Sequence, residues 1–123
     1  MYPFPPNGDL QFLIGLEIQQ IALDPLSLQF RFLTGGQILV EGQFEHIDQD
    51  GHSHLYDCGS LAGRPIYLHE LLEVPIVTFS REAFCLSLTF TTGAILRIFS
   101  NSGRYECGSI SPPDGTERGP IVF

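Results

Sequence analysis

The sequence predicts an α+β domain of mainly antiparallel β structure, in which two pseudo-repeated β-meanders are separated by one short helix. Residues 13–42 align without a gap on residues 71–100, at an offset of 58 (71 − 13). Within each copy, one segment alternates strictly between apolar and polar residues, which is typical of a strand with one buried face. The identities in this alignment are Leu13, Ile18, Leu28, Phe32, Thr34 and Gly35, matched by Leu71, Ile76, Leu86, Phe90, Thr92 and Gly93.

A second internal match lies downstream at a different offset. Residues 56–61 read Tyr-Asp-Cys-Gly-Ser-Leu and residues 105–110 read Tyr-Glu-Cys-Gly-Ser-Ile, an offset of 49 (105 − 56). Because this offset is shorter by nine (58 − 49), we expect an insertion in the first copy. The chain, 1–123, is therefore interpreted as a single domain with an irregular arm 1–8, a first unit 9–61 that carries a hairpin insertion near 43–55, a second unit 67–110 and a tail 111–123.

Each unit is expected to contain a helical turn followed by a four-strand meander. In the first unit, Asp9 is expected to cap a turn that ends at Gly15. Strands are then predicted at 16–23, 26–32 and 37–42, with turns at Asp24-Pro25 and Thr34-Gly35-Gly36.

The second unit repeats this plan after a short helix at 65–73. Proline is tolerated at the start of a helix, and four apolar residues of this segment lie close to one helical face. Strands are predicted at 74–80, 84–90, 94–99 and 104–110, with the last turn at 101–103. The apolar residues 121–123 are expected to add an edge strand.

The composition favours an acidic protein with its own hydrophobic core. The chain has 123 residues, of which 43% are apolar, and a net charge of −8 from 14 acids and 6 bases, all of them arginine. Such a charge makes nucleic acid and anionic membranes poor partners. A basic protein partner is compatible with it, and so is a charge that serves solubility alone.

Three cysteines, none in a C-x-x-C spacing, indicate reduced thiols and a cytoplasmic location. Cys58 and Cys107 occupy matching positions and could approach each other about a pseudo-twofold axis, although a role as buried apolar filler is favoured. The first residues lack the basic and apolar runs of a secretory signal, and no apolar run has transmembrane length.

Residues 41–57 contain five acids, three histidines and no arginine. Asp50-Gly51 is a strong hairpin turn signal, so we expect a protruding hairpin here. His46, His52 and His54 are the candidate metal ligands, because histidine and carboxylate together suit zinc. A solvated polar tip is the favoured interpretation, and neither a metal nor a cofactor is predicted.

The same hairpin is the candidate surface for a protein partner. An acidic loop flanked by aromatic residues suits a basic groove, with simple solvation as an equal alternative. Protonation of the histidines is expected to weaken binding to a basic partner below about pH 6. The candidate contact residues are Glu41, Phe44, Glu45, Asp48, Asp50, Tyr56 and Asp57.

No catalytic residue is predicted. The chain has no G-x-S-x-G, H-E-x-x-H, phosphate-loop or dinucleotide motif. Asp57 and Glu106 resemble a pseudo-symmetric carboxylate pair but are expected to point away from the face that carries the Tyr, Cys and Ser residues, and His69 is interpreted as a surface or half-buried histidine beside Glu70.

One sequence pattern resembles a known group of proteins. An L-x-G-x-x-[IV] motif, an alternating strand that ends F-x-x-G-x-x-L-x-[IV], and a closing Tyr-Glu follow one another within residues 10–110. They are carried by Leu13, Gly15, Ile18, Phe90, Gly93, Leu96, Ile98, Tyr105 and Glu106. This order is similar to small bacterial domains of unknown function that occur among immunity-like proteins of toxin systems. The resemblance implies no catalytic residue, and it implies that partner specificity lies in the 44–54 hairpin, which has no fixed counterpart in the pattern.

The leading hypothesis is a non-catalytic binding protein, of the immunity or antitoxin type, that inhibits a basic partner. A structural or homo-oligomerisation module, which would form a homodimer through its edge strands, is the first alternative. A metal- or small-ligand-binding domain that uses residues 46–54 is the second.

Overall fold

The computed structural model describes residues 2–61, 64–100, 106–115 and 119–123. Within these residues the chain forms ten strands and three short 3-10 helices. The strands are β1 (Ile18–Asp24), β2 (Ser27–Phe32), β3 (Gln37–Val40), β4 (Gln43–Ile47), β5 (Ser53–Asp57), β6 (Ile76–Glu82), β7 (Cys85–Phe90), β8 (Ile95–Phe99), β9 (Gly108–Ser111) and β10 (Ile121–Val122), and the 3-10 helices are Asn7–Leu13, Cys58–Ser60 and His69–Leu71.

The strands form two antiparallel five-stranded sheets. The first sheet has the order β1-β2-β3-β9-β10 and the second has the order β5-β4-β8-β7-β6. Their inner faces contribute to one hydrophobic core, in which the rings of Phe30 and Phe44, one from each sheet, meet edge to face with centroids 6.2 Å apart. The predicted fold class, α+β and mainly antiparallel β, is confirmed.

The two meanders are related by a pseudo-twofold rotation. Strands β1, β2 and β3 pair in sequence, and β6, β7 and β8 repeat this pairing at the offset found in the alignment. Where the units meet, Gly15 N–H donates to Ile76 O at 2.7 Å and Glu73 N–H donates to Ile18 O at 2.8 Å. These two bonds are equivalent under the offset of 58, so the pseudo-repeat predicted from the alignment extends to the contact between the units.

In each unit, the hairpin that follows the third strand pairs with the sheet of the other unit. After β3 the chain crosses between the sheets at residues 41–42, and β4 pairs with β8 rather than with β3. In the same way, β9 pairs with β3. The predicted four-strand meanders are therefore wrong beyond the third strand. Apolar alternation marks a strand and its buried face, but it does not identify the neighbouring strand.

The β4–β5 hairpin, predicted as an insertion, is a regular part of the second sheet. Its counterpart in the first sheet is the β9–β10 hairpin, which includes the predicted edge strand at 121–123. The match between residues 56–61 and 105–110 does not reflect this equivalence. Cys58 opens a 3-10 turn after β5, whereas Cys107 directly precedes β9, and Tyr105 lies outside the described residues.

The short helix predicted between the units is the 3-10 turn His69–Leu71, which is shorter than the 65–73 segment. Leu72 instead forms a parallel bridge with Ile18, and Glu73 has a φ of 64°. Because Leu72 pairs with Ile18 of β1, the backbone is no longer helical after Leu71.

Two further boundaries differ from those predicted. The first turn runs from Asn7 to Leu13 with Pro6 at the N-cap, so Asp9 lies inside it. The last strand of the second unit is Gly108–Ser111 rather than 104–110. The predicted turn at 101–103 lies outside the described residues.

Each half of the molecule contains one stacked aromatic pair at an equivalent place. Phe44 stacks on Tyr56 with ring centroids 5.0 Å apart. In the other half Phe4, from the N-terminal arm, stacks on Phe123 at 4.7 Å. Gly108 pairs with Val40, and Phe44 pairs with Ile98. Because Val40 and Ile98 are equivalent under the offset of 58, Gly108 occupies the position equivalent to Phe44. The arm thus supplies the aromatic ring that β9 lacks.

Gly108 is required by the close approach of two other groups. A Cβ atom at this position would lie 2.0 Å from the carbonyl oxygen of Leu39 and 2.6 Å from Cζ of Phe123. Neither neighbour can move away easily, since Leu39 O belongs to the ladder between β3 and β9 and Phe123 is fully buried.

We expect Gly108→Ala to lower the free energy of unfolding by about 1–3 kcal/mol, because the added methyl group overpacks the core. Urea-induced unfolding measures the change. The control is Gly8→Ala, since a Cβ atom at Gly8 would have nothing within 4 Å. Equal unfolding midpoints for the two variants would contradict the steric explanation.

Candidate functional site

A cleft with polar walls opens between the β4–β5 hairpin and the 3-10 turn His69–Leu71. It has a volume of about 220 Å³. The cleft collects three of the four histidines of the chain. We call it the histidine–carboxylate cleft, and its lining residues are His46, Asp48, His54, Tyr67, His69 and Glu70.

Two of the histidines are paired across the hairpin. His46 on β4 is the register partner of His54 on β5. Because directly opposite residues of an antiparallel pair project from the same face, their rings stack, with centroids 5.7 Å apart and planes inclined by 29°. The hairpin register therefore places both imidazoles side by side in the wall of the cleft.

Asp48 holds the turn that connects the two strands. Its Oδ1 accepts the backbone N–H of Asp50 at 3.0 Å and that of His52 at 2.9 Å. Gly51 has a φ of 88°, which glycine adopts without steric cost. The Asp50-Gly51 turn predicted from the sequence is confirmed, and Asp48 is the side chain that stabilises it.

Asp48 also forms the first of two histidine–carboxylate pairs in the cleft. Its Oδ2 lies 3.1 Å from Nε2 of His54. This hydrogen bond, followed by the one from the His52 backbone N–H, lowers the pKa of Asp48 to about 2. Asp48 is therefore ionised at neutral pH, and since a carboxylate only accepts hydrogen bonds, His54 is the donor.

The second pair joins the hairpin to the segment between the units. Nε2 of His46 lies 2.5 Å from Oε1 of Glu70. His46 is buried, with 1% of its side chain exposed, whereas 25% of Glu70 is exposed. Glu70 thus faces both the buried imidazole and the solvent in the cleft.

One nitrogen of His46 is left without a hydrogen bond. Among the described atoms, Nδ1 of His46 has no hydrogen-bond partner. A buried polar atom without a partner costs the desolvation of that group, so this nitrogen lowers stability unless another group compensates for it.

The other half of the molecule has apolar residues in place of this cleft. Ile38 and Leu96 are equivalent under the repeat, and they pair with Ile110 and His46 respectively. Ile110 in turn pairs with Ile121, as His46 pairs with His54. The offset also relates Glu70 to Phe12, which packs against the core. The equivalents of Glu70, His46 and His54 are thus the apolar residues Phe12, Ile110 and Ile121, whereas the same offset relates Tyr67 and His69 to Asp9 and Gln11.

The structure corrects two of the predicted partner contacts. Phe44 is fully buried and Tyr56 is 2% exposed. They were expected to flank a protruding loop, but β4 lies between β5 and β8, so that both rings enter the core. In this structure neither ring is available to a partner.

The predicted acidic contacts lie in three different environments. Glu41, Asp50 and Asp57 are exposed. Asp48 lines the cleft. Glu45 lies 3.5 Å from Arg97 and accepts a hydrogen bond from Ser53 at 2.5 Å. Glu41 and Asp57 therefore lie at the base of the hairpin, and Asp50 lies at its tip.

The candidate metal ligands are only partly brought together. His46 and His54 share the cleft, whereas the side chain of His52 is 76% exposed, with Nδ1 3.6 Å from Asp48 Oδ2. Within the described ranges, no group of three or more histidine, cysteine, aspartate or glutamate residues is arranged to hold a metal ion.

Sequence reasoning missed half of the cleft. Tyr67, His69 and Glu70 line it, but no cleft was predicted from them. His69, interpreted as a surface or half-buried histidine, is indeed exposed. The offset of 58, extended one residue before the start of the alignment, contained a signal, since it places Glu70 on Phe12. An acid that replaces an aromatic residue in a repeat indicates a change of environment.

Cys58 and Cys107 are both buried, and both lie beside Gly42. Cys58 N–H donates to Gly42 O at 3.0 Å, and a Cβ atom on Gly42 would lie 3.4 Å from Cβ of Cys107. Burial, with smaller contributions from Asp57 and Glu41, raises the pKa of the Cys58 thiol to about 11. Cys58 is therefore protonated at neutral pH, which suits an apolar filler rather than a nucleophile.

Comparison with known proteins gave no relatives. No protein family, no curated protein and no solved structure matches this chain. In the part of the chain that the structure describes, no helix has the length and apolar character needed to span a membrane.

We expect Asp48→Asn to flatten the dependence of stability on pH between about 4 and 2. Because the pKa of Asp48 is lowered from 3.8 to about 2 on folding, the native state binds fewer protons than the unfolded state in this window. The wild type therefore loses stability as the pH falls from 4 to 2, and the contribution is fully present above pH 4. Urea unfolding at a series of pH values measures this slope.

Asp50→Asn is the matched control for this prediction. It removes one carboxylate from the same turn, but the Asp50 side chain is exposed and only its backbone N–H contacts Asp48. Parallel stability curves for Asp48→Asn and the wild type between pH 4 and 2 would refute the assignment.

Proposed function

We propose that this domain is a non-catalytic protein-binding domain, of the immunity or antitoxin type, that inhibits a basic partner protein in a bacterial cytoplasm. The observation that carries the proposal is the row of exposed carboxylates along the β4–β5 hairpin. Glu41, Asp50 and Asp57 are exposed, and among the described residues none of them has an arginine within 4 Å. Exposed acids that lack a cationic neighbour attract a basic partner and accelerate its association.

Two arginines near this hairpin are already engaged. Arg97 lies 3.5 Å from Glu45. The guanidinium of Arg64 lies 4.7 Å from the centre of the Tyr56 ring and donates to the carbonyl of Leu55 at 2.5 Å. Since these arginines are held by the protein itself, the exposed carboxylates keep their negative field, which adds to the overall charge of −8.

A binding role also fits the composition of the cleft. Its lining residues include no serine, threonine or cysteine that could act as a nucleophile. Each of the two paired histidines uses Nε2 for a carboxylate. The proposal therefore assigns no reaction to the domain.

The charged surface is tested with two double variants of equal charge. The partner is first captured on the tagged domain from cells that produce it and eluted with rising salt. We expect Glu41→Gln with Asp50→Asn to slow association roughly threefold or more at low salt, with little change in dissociation, because steering depends on the local field. Surface plasmon resonance at several salt concentrations measures both rates.

The control double variant is Asp24→Asn with Glu82→Gln, on the edge strands β1 and β6. It removes the same number of charges outside the hairpin. If both double variants slow association equally, net charge rather than the hairpin determines binding. If neither changes the rate, the partner binds elsewhere.

Self-association through an edge strand is the second candidate function. Strand β1 forms one edge of the first sheet, and Leu23 and Leu26 at its end are 59% and 66% exposed. Deletion of 119–123 does not test this idea, because it removes the buried Phe123. For a dimer through β1, sedimentation equilibrium would give a dimer mass for the wild type and a monomer mass for Leu23→Lys. A monomeric wild type at all concentrations would exclude it.

A further inference from the structure

We propose that the histidine–carboxylate cleft is a binding site for the guanidinium group of an arginine side chain. The inference rests on the proposed function in one respect, since the basic partner is the source of that side chain. The site itself is a property of this domain and is tested without the partner.

Three polar residues of the cleft occupy positions where the fold does not require polarity. The positions equivalent to Glu70, His46 and His54 are occupied in the other half by Phe12, Ile110 and Ile121, which belong to the core or pack against it. The two halves therefore share one backbone arrangement but differ in the chemistry of this site. Polar residues that replace a workable apolar group, at a concave place, indicate interaction with a ligand.

The two acidic side chains of the cleft also favour a cationic ligand. Asp48 is ionised at neutral pH because the hydrogen bond from His54 and the N–H of His52 lower its pKa to about 2. Oε1 of Glu70 lies 2.5 Å from Nε2 of His46. These acidic side chains are 19% and 25% exposed, and the residues that line the cleft include no arginine or lysine.

The imidazole ring of His46 is a buried polar group in the wall of the cleft. His46 is 1% exposed and its Nδ1 has no hydrogen-bond partner among the described atoms. Burial of such a group lowers stability unless something compensates for it. A positioning role explains it, because the imidazole holds Glu70 at 2.5 Å and so fixes the direction of the carboxylate.

Arginine fits this site better than lysine. A guanidinium is planar, carries donors on several sides and can bond to two carboxylates while it stacks on an aromatic ring. Tyr67 lines the cleft and is 66% exposed, so its ring is available for such stacking. The same hairpin already binds a guanidinium in this manner, since Arg64 lies over the Tyr56 ring and donates to a carbonyl oxygen.

The experiment is a nuclear magnetic resonance titration of the full domain with N-acetyl-arginine amide near neutral pH. The probes for comparison are N-acetyl-lysine amide and the uncharged N-acetyl-citrulline amide. We expect saturable shifts of the His46, His54 and Tyr67 ring signals with the arginine amide, weaker binding of the lysine amide, and no specific shift with the citrulline amide. Equal shifts with the citrulline amide, or no saturation with the arginine amide, would overturn the proposal.

Variants locate the site. Glu70→Gln should weaken binding of the arginine amide roughly tenfold, because it removes one charged acceptor. Glu82→Gln removes the same charge from an exposed residue of β6 outside the cleft and should leave the affinity unchanged. If Glu70→Gln disturbs the fold, Tyr67→Leu is the second variant, since its exposed ring can be removed while its backbone N–H still bonds to Tyr56 Oη. Equal losses for Glu82→Gln and the cleft variants would refute a specific site.

The result is separable from the test of the proposed function. If the arginine amide does not bind but the hairpin charge variants slow association with the partner, the binding function stands and the cleft proposal is overturned. If the arginine amide binds in the cleft but the hairpin variants do not alter partner association, the cleft site stands and the acidic hairpin is not the interface.

Discussion

The pairing of β3 with β9 and of β8 with β4 is the constraint on which the rest of the fold depends. Strands β3 and β8 each end a three-strand meander and have an edge that a hairpin from the other unit covers. Without that hairpin, a row of backbone N–H and C=O groups and one apolar face would be left exposed. Neither unit can therefore complete its sheet alone. The stability of each half depends on pairing between residues that are distant in sequence, which also favours slow, cooperative folding.

The pseudo-twofold arrangement shows which positions the fold requires and which it leaves open. Both halves need an aromatic pair beside the crossing, and they obtain it from different residues, Phe44 with Tyr56 and Phe4 with Phe123. Such exchanges conserve volume, and cores tolerate them well. The change from Ile110 and Ile121 to His46 and His54 is of another kind, because it brings polar groups to sites that the other half fills with apolar ones.

The sequence was sufficient to predict features that depend on near neighbours. Alternation located β2 and β7, and the glycine turns at Gly35, Gly51 and Gly93 all have positive φ. It was insufficient for features that join distant residues. The exchange of hairpins depends on which strand lies beside β3, and no local pattern encodes it. His46 meets Glu70 across 24 residues, and this contact depends on how the segment between the units packs against the hairpin, so it was not predicted.

The charge of the molecule and the charge of the cleft act over different distances. The net charge of −8 and the exposed hairpin carboxylates act through solvent, where salt screens them within about 10 Å. The carboxylates of the cleft are 19% and 25% exposed, so salt screens them less. Protonation cannot relieve the charge on Asp48 near neutral pH, because its pKa is about 2. A basic partner would therefore be attracted by a field that salt weakens and then held by a contact that salt weakens little. Apolar residues at this place, as in the other half, would provide only the first of these two effects.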